Sequence, residues 1–245
     1  MFLAQGEGIG RAPLTAARPL GLSATPMARP PRNPTAIRGV FVTGTDTGVG
    51  KTVTAACLAR AWQAGYWKPV QTGTATGDDD TATATALAAI PADRVAPPAY
   101  TFSAPLSPHA AAEREGGRID LATIQLPVGL DPIVVEGAGG VLVPLNAREF
   151  MIDLMAQLAL PIVLVARGTL GTINHTLLSL AALRARALSI AGVVMNGPPD
   201  IGNRTAIEQF GQVRVLAELP RVEPLDAAAV ARLAARIRPL AEIDP

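Results

Sequence analysis

Cysteine, surplus charge and long hydrophobic runs are scarce in this sequence, and each shortage excludes a class of protein. The single cysteine, Cys57, excludes an internal disulfide framework. No apolar run reaches the roughly 18 residues that indicate a membrane span. Charged residues make up 17% of the 245 residues and the net charge is +1, so bulk electrostatics do not favour nucleic-acid binding. Apolar residues, at 49%, are sufficient for one α/β domain with a large core.

The first 36 residues are poor in acidic residues and show no periodicity. They contain four arginines against one glutamate, together with six prolines. This composition predicts a disordered N-terminal extension. An organellar targeting segment, which is also Arg-rich and acid-poor, and a true start at Met27 are the alternatives. We expect residues 37–245 to form a single folded domain.

Short β-branched segments alternate with Ala- and Leu-rich segments in the rest of the chain. The predicted strands cover residues 37–43, 66–70, 133–136, 162–166, 191–195 and 213–216. The predicted helices cover residues 51–64, 79–89, 151–158, 173–187, 203–210 and 225–237. Continuously apolar strands are typical of a parallel sheet covered on both faces. The pattern predicts an α/β fold, a three-layer P-loop NTPase fold with a mostly parallel central sheet, and ligands at the carboxyl ends of its strands. Residues 91–127 are rich in proline and give no clear element.

The segment GTDTGVGKT, at residues 44–52, follows the first predicted strand and opens the first predicted helix. Strand, glycine-rich turn and helix are the context of a phosphate-binding loop, whose backbone N–H groups surround an anion. Lys51 would reach the terminal phosphates and Thr52 would coordinate Mg²⁺. The usual pattern has a glycine at the position of Thr45, whereas here it stands one place earlier, at Gly44. The residues expected to contact ATP here are Thr47, Gly48, Val49, Gly50, Lys51, Thr52 and Val53.

Charged residues follow the next two predicted strands. Lys68 would lie at a strand end beside the loop, facing phosphate or carboxylate charge, although a surface lysine is the plainer interpretation of this residue alone. Three aspartates, Asp78, Asp79 and Asp80, open a helix; one is expected to cap it, and a divalent cation would offset their mutual repulsion. Glu136 ends a buried strand, where a metal-binding or water-polarising role is favoured over a solvated surface.

Glycines and an amide follow the remaining strand ends. The glycines after Glu136 offer free N–H groups to an oxyanion. Residues 170–176 begin a long helix and form a second candidate anion site, in which we assign no chemistry to His175. Asn196 follows the fifth predicted strand, where an amide would be placed to recognise adenine, but Asn-Gly is equally an ordinary turn.

In this order, the segments GTDTGVGKT, KPVQTG, GDDD, EGAGG and LGTINHT resemble dethiobiotin synthetase of the biotin pathway. The resemblance extends from about residue 39 to about residue 225. It implies that 7,8-diaminopelargonate, CO₂ and MgATP are converted to dethiobiotin, ADP and phosphate. One amine would form a carbamate, the carbamate would take the γ-phosphoryl group to give a carbamic–phosphoric anhydride, and the second amine would close the ring.

The same resemblance implies roles for individual residues. Lys51 and Lys68 would be catalytic, and Asn196 would recognise adenine. Mg²⁺ would be held by Thr52, Asp80 and Glu136, where the choice of Asp80 among the three aspartates rests on family register alone. The residues expected to contact the substrate are Thr72, Gly137, Ala138, Gly139 and Gly140, together with Gly171, Thr172 and Asn174 from the other subunit of a homodimer. We expect a cytoplasmic enzyme with neither a nucleic-acid nor a membrane partner.

Two other members of the same superfamily are the alternatives. A partition or septum-positioning switch ATPase would carry an extra lysine early in the loop, and residues 44–46 contain none. An amidotransferase-type synthetase would need a nucleophilic cysteine, and Cys57 lies within a predicted helix.

Overall fold

The computed structural model describes residues 38–243, so the predicted N-terminal extension lies outside the described residues. Nine strands occur in this part of the chain: β1 (Gly39–Gly44), β2 (Gly65–Trp67), β3 (Val70–Gln71), β4 (Val95–Ala96), β5 (Tyr100–Thr101), β6 (Ile133–Gly140), β7 (Ile162–Arg167), β8 (Ile190–Asn196) and β9 (Val215–Leu219). The α-helices over the same residues are α1 (Lys51–Trp62), α2 (Asp80–Ala88), α3 (Pro108–Arg114), α4 (Met151–Leu158), α5 (Thr172–Ala185), α6 (Ile201–Gly211) and α7 (Ala227–Ala234).

Seven of these strands form one parallel sheet in the order β4-β2-β6-β1-β7-β8-β9. The first strand in the chain, β1, lies in the middle: β2, β4 and β6 lie on one side of it, with β6 adjacent, and β7, β8 and β9 follow outward on the other side. Ligand sites of parallel sheets form at such a reversal of strand order, outside the carboxyl ends of the strands. The loop after β1 lies at this position, between the ends of β6 and β7.

Helices cover both faces of the sheet, which gives the predicted three layers. One apolar cluster lies under α1, α2 and α7, and the second lies under α3, α4, α5 and α6. Alternate residues of β1 divide between them, since Val40 and Val42 join the first cluster and Phe41 joins the second. The predicted fold class is therefore confirmed.

Two predicted strands differ from the structure in their extent or pairing in ways that affect the site. The predicted strand at residues 66–70 is two strands: β2 belongs to the large sheet, whereas β3 pairs only with β5. The predicted strand at residues 133–136 continues through the glycines to Gly140, because Gly140 pairs with Gly44 of β1. Residues 91–127, which gave no clear element, contain β4, β5 and α3.

None of the helices within residues 38–243 combines the length and apolar character that crossing a membrane requires.

Candidate active site

The phosphate-binding loop follows β1 and ends where α1 begins. Gly48 and Gly50 have φ values of 71° and 90°, which glycine adopts without strain. Gly50 also has no room for a side chain, because a Cβ there would lie 2.3 Å from Nδ2 of Asn196. A Cβ on Gly44 would lie 2.8 Å from the backbone oxygen of Asp46. The early glycine of this variant loop is therefore required by the close approach of the backbone.

Asn196 ends β8 and holds the loop from the side. Its Nδ2 donates to the backbone oxygens of Val49 and Gly50, each at 2.9 Å, and lies 3.0 Å from Oγ1 of Thr54. These acceptors occupy both N–H groups of the amide, so a contact to adenine would have to use Oδ1. Adenine recognition by Asn196 stays a prediction, and support of the loop is a role that no sequence pattern indicated.

The chain contains two lysines, and both line the cleft beside this loop. Lys51 begins α1, and its Nζ donates to the backbone oxygen of Asp46 at 3.1 Å. Lys68 follows β2, and its side chain is 4% exposed. Its Nζ lies 2.8 Å from Oδ2 of Asp80 and 3.2 Å from Oε1 of Glu136. Lys68 is thus a buried cation with two anionic partners, and the surface-lysine interpretation is wrong.

The surroundings shift the pKa values of the two lysines in opposite directions. Burial, followed by repulsion from Lys68, lowers the pKa of Lys51 below its usual 10.5. Burial also acts to lower the pKa of Lys68, but attraction to Glu136 and Asp80 outweighs it and raises that pKa above 10.5. Lys68 is therefore held as a cation at neutral pH.

We expect the two ammonium groups to titrate in order, Lys51 before Lys68, as the pH rises. Protein labelled with ¹³C at the lysine ε-carbon has only two such side chains, and the Lys68→Ala variant assigns them. The chemical shift of the Lys51 ε-carbon should change with a midpoint below pH 10.5, and that of Lys68 with a midpoint above it. The reverse order would show that the carboxylates do not govern the charge of Lys68.

Two carboxylates converge on the hydroxyl of Thr52 in the first turn of α1. Thr52 Oγ1 lies 2.8 Å from Oδ1 of Asp80 and 2.9 Å from Oε1 of Glu136. Asp80 begins α2 and Glu136 lies within β6, so three elements contribute one oxygen each to this group. Burial acts to raise the pKa of Asp80, but Lys68 and the hydrogen bond from Thr52 lower it overall, so this carboxyl is ionised.

These donors fit a magnesium ion shared with a nucleotide. One hydroxyl carries one proton, so Thr52 cannot satisfy both carboxylates at once, and a cation beside them would balance the remaining charge. Carboxylate and hydroxyl oxygens are ligands that Mg²⁺ prefers, and it usually completes its shell with phosphate oxygens and water. Within residues 38–243, no group of three or more His, Cys, Asp or Glu side chains could hold a metal by itself. Binding of Mg²⁺ at this site stays a prediction.

The three consecutive aspartates have separate contacts. Asp79 caps α2, since its Oδ1 accepts the N–H of Ala82 at 2.8 Å, which confirms the expected cap. Asp78 Oδ2 accepts from the hydroxyl of Thr76 at 3.1 Å. Asp80 is the aspartate of the three that contacts Thr52 and Lys68. The geometry thus supports the choice of Asp80 that the family resemblance implied, while metal binding by Asp80 stays a prediction.

Two polar residues that sequence reasoning did not single out support the charged ones. Tyr66 is fully buried on β2, and its hydroxyl donates to Oε2 of Glu136 at 2.9 Å. Burial and the Glu136 charge raise the pKa of Tyr66, so the phenol keeps its proton. Gln71 Nε2 donates to the backbone oxygens of Thr72 and Asp78 at 2.8 and 2.9 Å. Gln71 therefore fixes the loop between β3 and α2. The one sequence feature that could have indicated this role is its position within the segment KPVQTG.

These groups surround a cleft of about 600 Å³ at the carboxyl ends of the strands. Most of the predicted site residues line it: Thr47, Gly48, Gly50, Lys51, Thr52, Val53, Lys68, Thr72, Asp80, Glu136, Ala138 and Gly139. The opposite wall includes Pro105, Leu106 and Ser107, from the region that the sequence left unassigned.

Two of the predicted substrate-binding glycines have a packing role in β6. A Cβ on Gly137 would lie 2.8 Å from Cε1 of Phe41, and Gly140 pairs with Gly44. Their contact with a substrate stays a prediction.

The start of α5 lies outside this cleft. Gly171 and Asn174 are exposed there, whereas Thr172 is buried. Leu170 and Leu178 are exposed on the same segment, so apolar and polar groups face outward together. Gly171, Thr172 and Asn174 do not line the cleft of Lys51. Their neighbours His175 and Leu178 line a separate cavity with Asp46 of the phosphate-binding loop.

Comparison with known proteins finds relatives that match most of the folded domain. A family model described as an AAA domain matches residues 38–229. The ATP-dependent dethiobiotin synthetase BioD of Paramagnetospirillum magneticum (strain ATCC 700264 / AMB-1) is 55% identical over 197 residues, which cover 80% of this chain and 95% of the relative. BioD of Rhodopseudomonas palustris (strain TIE-1) is 49% identical over 82% of this chain and 94% of the relative.

A longer relative matches over only part of its length. The biotin biosynthesis bifunctional protein BioCD of Bordetella avium (strain 197N) is 58% identical over 193 residues, 79% of this chain. The match spans 42% of that protein.

A solved structure shares the fold at low sequence identity. The septum site-determining protein MinD of Pyrococcus horikoshii OT3, complexed with Mg-ADP, has a TM-score of 0.50 and 16% identity. The match covers 84% of this chain and 98% of MinD. At this identity the likeness bears on the fold alone.

Proposed function

The chain belongs to the dethiobiotin synthetase family, and from this we propose that it converts 7,8-diaminopelargonate, CO₂ and MgATP into dethiobiotin, ADP and phosphate. The observation that carries the proposal is the set of five charged or hydroxyl side chains around one cleft: Lys51, Thr52, Lys68, Asp80 and Glu136. Phosphoryl transfer needs positioning and charge neutralisation rather than covalent help, and this set supplies both.

The loop and Lys51 would bind and orient the phosphates of ATP. The positive φ glycines would let backbone N–H groups surround a phosphate, and Lys51 would exchange its bond to the Asp46 carbonyl for one to the terminal phosphates. Thr52, Asp80 and Glu136 would hold Mg²⁺, which neutralises charge on the phosphate oxygens when bound.

Lys68 lies where charge would develop during transfer. Its ammonium group is buried and is held by Asp80 and Glu136, so it needs little reorganisation when an anion arrives. We assign it to the carbamate oxygen and the moving phosphoryl group. Because its pKa is raised, Lys68 cannot serve as the amine that takes up CO₂, which leaves that step to the substrate.

The substrate carboxylate would bind at the start of α5 from the other subunit of a homodimer. Gly171 and Asn174 are exposed and lie outside the cleft of their own chain, which supports a role in trans. Exposed Leu170 and Leu178 beside them give this surface apolar groups that a second subunit would cover.

The direct test is an assay with diaminopelargonate, ¹³C-bicarbonate and MgATP, with dethiobiotin followed by mass. We expect a product one mass unit heavier than from unlabelled bicarbonate, and ATP hydrolysis that requires both the diamine and CO₂. ATP turnover that DNA or lipid stimulates and the diamine does not would instead favour a switch ATPase.

Replacing Asp80 by asparagine should raise the Mg²⁺ concentration for half-maximal activity and lower the rate about 10–100-fold, because a hard anionic ligand is lost. Asp78→Asn and Asp79→Asn are the matched controls, since each removes one neighbouring charge. Asparagine caps a helix as well as aspartate does, so Asp79→Asn should behave like the parent protein. Mg²⁺ titrations of the three variants in parallel decide which aspartate binds the metal. If only Asp78→Asn raised the Mg²⁺ concentration for half-maximal activity, the ligand would be Asp78 instead.

A further inference from the structure

The two carboxylate oxygens of Glu136 have different neighbours. Oε1 lies 2.9 Å from Thr52 Oγ1 and accepts from Lys68 Nζ at 3.2 Å, on the cleft side. Oε2 accepts from the hydroxyl of Tyr66 at 2.9 Å. Glu136 is 1% exposed and Tyr66 is fully buried, so water does not compete for this bond. A buried carboxylate oxygen that loses its donor is costly, so the phenol fixes the orientation of the whole group.

The sheet register explains why this tyrosine reaches Glu136. β2 runs parallel to β6, with Tyr66 opposite Val134, and Glu136 lies two residues further along β6 on the same face as Val134. Lys68 lies two residues beyond Tyr66 and reaches the other oxygen of the same carboxylate. Tyr66 and Lys68 therefore hold Glu136 from its two oxygens.

We propose that Tyr66 is a positioning residue of the Mg²⁺–nucleotide site: its hydroxyl holds Oε2 of Glu136 and thereby keeps Oε1 directed at Thr52 and the cleft. The proposal rests on the proposed function in that Mg²⁺ binds here with ATP. Without the hydroxyl, both oxygens of Glu136 are free to turn toward Lys68. The carboxylate then gives up its place beside Thr52, and the cation site loses one of its two anionic ligands.

Tyr66→Phe is the test, and Tyr100→Phe is a matched control because the chain has only two tyrosines. The Tyr100 hydroxyl lies 2.9 Å from Oγ1 of Thr123 and accepts the N–H of Asp120 at 3.1 Å. Each variant thus removes one hydrogen-bonded phenol, and Tyr100 does not line the cleft. The probe is Mn²⁺, titrated by calorimetry into protein saturated with a non-hydrolysable ATP analogue.

We expect the Mn²⁺ dissociation constant to rise about tenfold in Tyr66→Phe and to stay unchanged in Tyr100→Phe, as is typical when a partner of a metal ligand is lost. Binding of the analogue without metal should be the same in all three proteins. In turnover, half-maximal Mg²⁺ should rise by about the same factor, while KM for the diamine stays unchanged. Equal Mn²⁺ affinity in Tyr66→Phe and the parent protein, or equal weakening in both variants, overturns the proposal.

A double-variant cycle separates positioning from general damage. If Tyr66 acts through Glu136, then Tyr66→Phe should have no further effect on Mn²⁺ affinity in a Glu136→Gln background. A full additional loss there would contradict the proposal.

Should Tyr66→Phe fail to fold, 3-fluorotyrosine in the otherwise unaltered chain gives two ¹⁹F resonances, which Tyr100→Phe assigns. The Tyr66 resonance should shift when Mg²⁺ joins the bound analogue and the Tyr100 resonance should not; a fixed Tyr66 resonance overturns the proposal.

These binding measurements involve no turnover. Absence of dethiobiotin formation by the parent protein would therefore defeat the proposed function without deciding the role of Tyr66.

Discussion

Lys68→Ala should lower the rate of dethiobiotin formation roughly 10³-fold, because in the proposed mechanism it removes the cation that faces the charge developing during phosphoryl transfer. ATP affinity should stay within about twofold of the parent protein, since an interaction made mainly in the transition state does not contribute to ground-state binding. Turnover assays together with calorimetric titration with ATP separate the two effects.

Lys51→Ala is the matched comparison, because it removes the other lysine of the cleft. In the proposed mechanism Lys51 contacts the phosphates in the ground state as well, so this variant should lose ATP affinity and turnover together. Lys68→Ala leaves Asp80 and Glu136 without their cation, and breaking a buried pair typically costs about 3–5 kcal/mol of stability. Thermal unfolding must therefore show that the variant is folded at the assay temperature. A folded Lys68→Ala protein with normal turnover would show that Lys68 has no part in the transfer.

The phosphate-binding loop could be predicted from sequence because its determinants are local. Gly48, Gly50, Lys51 and Thr52 lie within one turn, and both the backbone geometry and the helix start depend on neighbours in the chain. The central strands were predictable for a similar reason, since continuous apolar runs are needed wherever a strand is covered on both faces.

The structural features that could not be predicted from the sequence depend on residues that are distant in the chain. Gly140 has low strand propensity, yet pairing with Gly44 of β1 keeps it in β6. Strands β4 and β5 have two residues each, too few to produce a periodic pattern, and they form because β2 and β3 pair with them. The bond from Tyr66 to Glu136 joins residues 70 positions apart, and nothing in the local sequence distinguishes a buried phenol with a partner from an ordinary core tyrosine.

The proposed sharing of the active site between two subunits predicts that two inactive variants will restore activity to each other. If Asn174 acts across a homodimer, each site uses Lys51 of one chain and Asn174 of the other. Lys51→Ala and Asn174→Ala should each be nearly inactive alone, because every site then lacks either the phosphate contact or the substrate contact. Asn174 is exposed, so its replacement should leave the fold intact. In a mixed dimer both defects fall in one site, and the other site is complete.

Random re-assortment of equal amounts makes about half of the dimers mixed, so roughly a quarter of all sites should recover. Co-expression with two different affinity tags, followed by sequential purification, isolates the mixed dimers, in which half of the sites should be active. Lys51→Ala mixed with Lys68→Ala is the control: both residues line the cleft of the same chain, so each site of that mixed dimer carries one defect and no activity should return. Purified Lys51→Ala/Asn174→Ala dimers that remain inactive would mean that Asn174 does not complete the partner's site.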